Sequence, residues 1–138
     1  MPSASPRSRE WYQSQYTKLS YSTNITAAGT TENVLAAKNA NYQIFVQAIE
    51  LAPTTAAVET VTWQDDAGTP VPIAKYTGAA ANTTPYLADF GPEGFPLTTG
   101  TNLDMVVSAG GALRAAVHIE GYQKLAVVIS STAGASLQ

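Results

Sequence analysis

An all-β fold is what this sequence predicts: an antiparallel β-sandwich or jelly-roll-like domain with an extended N-terminal arm. Three observations predict it. From about residue 32 onward, short apolar runs of period two alternate with Gly, Pro, Asn and Asp turn chemistry at fairly even spacing. No segment carries a helix of ordinary length with a 3.6-residue period. The 138-residue chain has no cysteine, so its core rests on burial alone, which a chain this long can supply.

Taken in order, residues 1–31 differ from the rest. Pro and Ser come first, and then Trp11, Tyr12, Tyr16 and Tyr21 stand among polar residues. Disordered tails are depleted in aromatics, so this segment reads as an arm that orders against a partner or against its own domain. Residues 32–37 form a first strand, ended by Lys38-Asn39-Ala40-Asn41. Tyr42–Leu51 is the strongest element. Both of its faces are partly apolar, as in a central strand covered on two sides, and Pro53 is expected to stop it. Val58–Gln64 alternates cleanly, with Val61 and Trp63 on one face. Asp65-Asp66-Ala67-Gly68 supplies a turn.

Val71–Tyr76 contains Pro72 and reads as an edge strand. Gly78–Thr84 is a loop, Tyr86–Phe90 a short strand, and 91–100 a turn-rich run. Leu103–Ser108 and Leu113–Tyr122 are expected to pair as a hairpin across Ala109-Gly110-Gly111-Ala112. Lys124–Ser131 suggests one more strand. The domain boundaries are therefore 1–31 for the arm, 32–131 for the sandwich and 132–138 for a small-residue tail.

Charged residues make up only 12% of the chain, about half the usual share. A surface so poor in charge is weakly protected against association and suits a protein packed against neighbours. Within 1–31, Arg7, Arg9 and Lys18 face the single acid Glu10, whereas the remainder is acidic. An acidic body argues against nucleic acid as a partner. No run approaches the length of a membrane span, and the N-terminus lacks the apolar stretch of a signal peptide. Synthesis in the cytosol, with no membrane partner, is the expectation.

Chemistry is sparse. His118 and Glu120 share a strand face as an acid–base pair would, but no serine or cysteine elbow motif accompanies them, and a surface histidine is the simpler reading. Asp65, Asp66 and Asp104 lack the spacing of a calcium loop. No catalytic residue, cofactor or metal is predicted. Trp11, Tyr12, Trp63, Tyr76 and Tyr86 suggest a sugar-stacking platform as an alternative, against a simpler reading of Trp63 as core.

The run Phe90-Gly91-Pro92-Glu93-Gly94-Phe95-Pro96, its Thr/Gly turn through Gly100, and the strand Leu103-Asp104-Met105-Val106-Val107-Ser108-Ala109 resemble a stretch of small tailed-bacteriophage virion proteins of the head decoration, or cement, type. The resemblance covers about residues 32–122. It implies a module on the outer surface of a virion, bound to the major capsid protein and to itself, with a homotrimer favoured. On that reading Arg7, Arg9, Trp11, Tyr12 and Tyr16 reach a capsid or neighbouring subunit, since Trp, Tyr and Arg dominate interface energetics. Pro92, Gly94 and Gly100 shape a loop between sheets that lies near a symmetry axis. A glycan-binding fibre tip and a tail-tube or neck component are the alternatives.

Overall fold

The computed structural model of the protein describes residues 7–126. Its elements are helix α1 (Arg9–Gln15) and strands β1 (Thr17–Ile25), β2 (Thr31–Leu35), β3 (Tyr42–Thr55), β4 (Thr60–Asp65), β5 (Val71–Thr77), β6 (Tyr86–Asp89), β7 (Phe95–Pro96), β8 (Leu103–Val107) and β9 (Arg114–Leu125). One sheet runs β1-β9-β3-β6, with β7 also on β3, and the other runs β2-β8-β4-β5. The pairings nest: β1 with β9, β2 with β8, β3 with β6 and β7, β4 with β5. A long hairpin rolled onto itself has this connectivity, so the fold is an antiparallel, jelly-roll-like β-sandwich.

The core lies between the sheets. Ile44, Ile49, Val61, Trp63, Leu103, Leu113 and Ile119 are fully buried there. In β4 the alternation reads as the sequence predicts, with Val61 and Trp63 inward and Thr60, Thr62 and Gln64 half-buried. β5 is an edge strand, where Pro72 deprives no neighbour of a ladder bond.

Several expectations are corrected. Residues 7–31 are not one extended arm. Arg9–Gln15 is a two-turn helix, and Thr17–Ile25 pairs with β9 over its whole length as an edge strand of the first sheet. Its alternation was hidden by polar outward residues, Ser20, Ser22 and Asn24, while Leu19 and Tyr21 pack on the core. The Tyr21 hydroxyl also donates to Glu32, which joins β1 to β2 at the open side of the sandwich.

Pro53 does not end β3. The strand continues to Thr55, because β6 pairs only as far as Leu51 and so requires no N–H from Pro53. Nor is β3 apolar on two independent faces. Its register with β9 shifts between Val46 and Ala48, a bulge that inserts Gln47. The extra residue reverses the alternation, so Ile44 and Val46 before it and Ile49 and Leu51 after it all enter one core.

The segments 103–108 and 113–122 are not a hairpin. β8 lies in one sheet and β9 in the other. The buried Glu59 carboxylate steers this crossing, accepting the Gly111 N–H at 3.2 Å and the Leu113 N–H at 3.0 Å. The expected strand 124–131 is the end of β9 as far as Leu125; Ala126 follows outside the strand, and residues 127–138, the tail among them, lie outside the described residues.

Candidate functional site

The outer face of the first sheet, turned away from the second, carries helix α1. Ser8 caps it, its Oγ accepting the Trp11 N–H at 3.0 Å, and Glu10 occupies the first turn. Side chains four apart on a helix share a face. Tyr12 and Tyr16 therefore descend together, and each stacks on Tyr122 of β9 with ring centroids 5.4 Å apart. Phe45 of β3 stacks on the same ring at 5.0 Å. Arg9 and Gln13, also four apart, both reach Glu120 of β9, at 3.4 and 3.2 Å.

Gln47 is the hub. The bulge points its side chain outward, where its Nε2 donates to the Pro92 carbonyl at 2.6 Å and the Arg9 carbonyl at 3.3 Å. Its Oε1 accepts from Gln13 at 2.9 Å. A buried amide with both ends partnered ties the helix to the loop 90–96. That loop is further held by the Tyr122 hydroxyl, which donates to the Glu93 carbonyl at 2.6 Å. Gly94 turns it at φ +82°, and a Cβ there would stand 3.0 Å from the Val46 carbonyl oxygen.

Helix and loop together form one surface. Arg7, Tyr12, Phe90, Gly91, Pro92 and Glu93 line a shallow cavity of about 300 Å³. The Arg7 guanidinium lies 4.4 Å over the Trp11 ring, and exposed Phe95 meets Phe90 at 5.7 Å. The structure thus brings together Arg7, Trp11 and Tyr12 with Pro92 and Gly94, which the sequence offered as two separate groups. Arg9 and Tyr16 are engaged on their own domain. Gly100 lies apart, turning the chain at φ +82° against Ala40.

Other candidates fall elsewhere. Trp63 and Tyr76 are buried, and half-buried Tyr86 stacks on Trp63 at 5.8 Å, so these three form no exposed platform with Trp11 and Tyr12. Asp65 is a buried latch, accepting from Thr98 N at 2.7 Å and Thr101 Oγ1 at 2.5 Å. Among the described residues no group of three His, Cys, Asp or Glu side chains is placed to hold a metal. Sequence reasoning missed Gln47, although a glutamine inside an apolar strand was the available signal.

Burial pushes the Tyr122 phenol up to about 12, with Tyr12, Tyr16 and Glu93 adding to the effect. A phenol whose folded pKa is raised stabilises the fold fully below its ordinary value near 10, and loses that contribution as pH rises through about 12. Spectrophotometric titration is therefore expected to show one tyrosine ionising about two units late. In Tyr122→Phe the late step disappears. If every phenol titrates together near pH 10, the stacked cluster is not closed.

Glu120 moves the other way. The His118 hydrogen bond holds its carboxyl below the usual range, with Gln13 and Arg9 assisting and burial opposing.

No family model matches the sequence, and no curated protein matches it. Among solved structures, a chain of the acid-stable capsid structure of Helicobacter pylori bacteriophage KHP30 superposes with a TM-score of 0.55 at 11% identity. The match covers 81% of this chain and 90% of that one. The two share a fold. A chain of Bacillus endospore appendages, disulfide-linked pili, matches at a TM-score of 0.41 and 10% identity over 77% of this chain and 86% of that one. A chain of infectious bursal disease virus, Gx strain, gives 0.35 and 13% over 78% and 29%. These last two likenesses are too loose to define a common fold.

Proposed function

We propose that the chain is a structural protein of a virus particle, a capsid decoration or cement protein on the outer surface of a phage head. The observation that carries the reading is the composite surface of α1 and the loop 90–96. Its Trp, Tyr, Phe and Arg composition is that of an interface hot spot, and it sits on a rigid sheet rather than on a free arm. Jelly rolls serve viral capsids among other roles. The likeness to a capsid chain of similar length supports the same reading through fold, which alone assigns no function.

On this reading the partner is the major capsid protein, and the chain also associates with itself, as a trimer. The β1 edge suits self-association. It is nine residues long, lacks proline and pairs with β9 without a bulge, and among the described residues no strand pairs with its other side. Binding only to the assembled lattice stabilises that lattice by mass action, and three linked copies multiply weak contacts.

The test is saturable binding to capsids stripped of the protein, read with capsid melting temperature. Arg7→Ala and Trp11→Ala are each expected to weaken binding by about 30-fold, the scale of one hot-spot truncation. The fold should survive both changes, because Arg7 is exposed and Trp11 half-exposed. Undiminished binding by both variants would move the contact to another face. Absence of binding by the native chain would discard the cement role.

A further inference from the structure

The outer face of the first sheet holds a second constellation, beside α1 rather than beneath it. Register sets Ser22 of β1 directly opposite His118 of β9, and His118 opposite Glu50 of β3. Ser22 Oγ lies 2.7 Å from His118 Nδ1, and His118 Nε2 lies 3.0 Å from a Glu120 carboxylate oxygen. Glu120 is itself oriented by Gln13 and Arg9.

For the neutral imidazole the hydrogen-bond order selects one tautomer. An ionised Glu120 can only accept, so Nε2 carries the imidazole proton. Nδ1 is then left with a lone pair, and the Ser22 hydroxyl donates to it. Nucleophile, base and orienting carboxylate stand in sequence. In front of them is a shallow concavity of about 300 Å³, lined also by Asn24, Glu50, Ala52 and Ala116.

We propose that Ser22 is an activated nucleophile and that this concavity accepts a short-chain carboxylic ester. The Ser22 oxygen attacks the carbonyl carbon while its proton passes to His118 Nδ1. The resulting imidazolium is held by Glu120. Collapse of the tetrahedral adduct breaks the bond from the carbonyl carbon to the alkoxy oxygen, and the Nδ1 proton leaves with the alcohol. Water then attacks the acyl carbon while its proton passes to His118 Nδ1, the bond from that carbon to Ser22 Oγ breaks, and the proton returns to Oγ, releasing the carboxylic acid and restoring Ser22. Asn24 follows Ser22 by two residues on the same strand face, about 7 Å along, and lines the same concavity, so we assign its amide as the donor to the oxyanion. The Glu50 carboxylate disfavours anionic esters, so a neutral or cationic acyl donor is the fitting class. The small walls at Ala52 and Ala116 suit an acetyl-sized group.

This activity is independent of the assembly role, and its test uses the soluble chain. A fluorophosphonate probe and p-nitrophenyl acetate are applied, with the adduct located by mass spectrometry. The expected result is modification at Ser22, abolished in Ser22→Ala and slowed at least tenfold in His118→Gln. Glu50→Gln should speed reaction with a succinyl ester relative to the acetyl ester. Both Ser22 and Glu50 are exposed, so thermal melts of these variants should overlay the native curve. Labelling that spares Ser22, or that is unchanged in His118→Gln, overturns the proposal, since Ser22 would then react as any surface serine does.

Discussion

Gly121→Ala is expected to destabilise the protein by about 3 kcal/mol, the upper part of the range for overpacking a tight site. A Cβ at Gly121 would lie 2.4 Å from the Phe45 carbonyl oxygen and 3.4 Å from the Val46 Cα. The obstructing atoms are backbone atoms of the adjacent central strand, so no side-chain rotation relieves the clash. β3 and β9 must part at the pair Val46–Gly121, immediately before the bulge that aims Gln47 at the helix. The loss therefore extends beyond the core to the surface built from α1 and the loop 90–96. A thermal melt measures the first effect, with a Tm lowered by about 10 °C. Quenching of Trp11 fluorescence in a Trp63→Phe background measures the second. A variant as stable as the native chain would mean that the two central strands are not so closely apposed.

Trp63→Ala is expected to cost about 3–5 kcal/mol, a large share of the stability of a domain this size. The indole is fully buried between the sheets and stacks parallel to Tyr86 at 5.8 Å. Its Nε1 has no hydrogen-bond partner among the described residues, and a buried unpaired donor costs about 1–3 kcal/mol. Trp63→Phe removes that donor together with part of the ring, so it should cost less than half as much as the alanine change. Denaturation midpoints of the two variants decide the matter. Equal losses would show that Nε1 is hydrogen-bonded in solution and that the ring's whole volume is needed.

Class and the part of the core carried by unbulged strands were legible in the chain because they rest on local alternation. Val61 and Trp63 on one face of β4, Pro72 on an edge strand, and the loop at Gly78–Thr84 all followed from period and turn chemistry. Helix α1 had weaker signals: a Ser8 cap and the pairs Arg9–Gln13 and Tyr12–Tyr16 at helical spacing. They were overshadowed by the polar, proline-led composition around them. The aromatic and arginine content of the surface around α1 was visible; its meeting with the loop 90–96 was not.

The sequence by itself determined an all-β sandwich without disulfides, the inward face of β4, and a surface poor in charge. Tertiary structure alone decided that Thr17–Ile25 closes the first sheet, that β8 and β9 separate into different sheets, and that one inserted residue in β3 turns four apolar side chains into one core. It also decided that Ser22 meets His118, 96 residues away. The reason is the range of the forces involved. Burial preference repeats within a few residues and is written along the strand. Register is set by which distant strand arrives alongside, and a single bulge changes every partner beyond it.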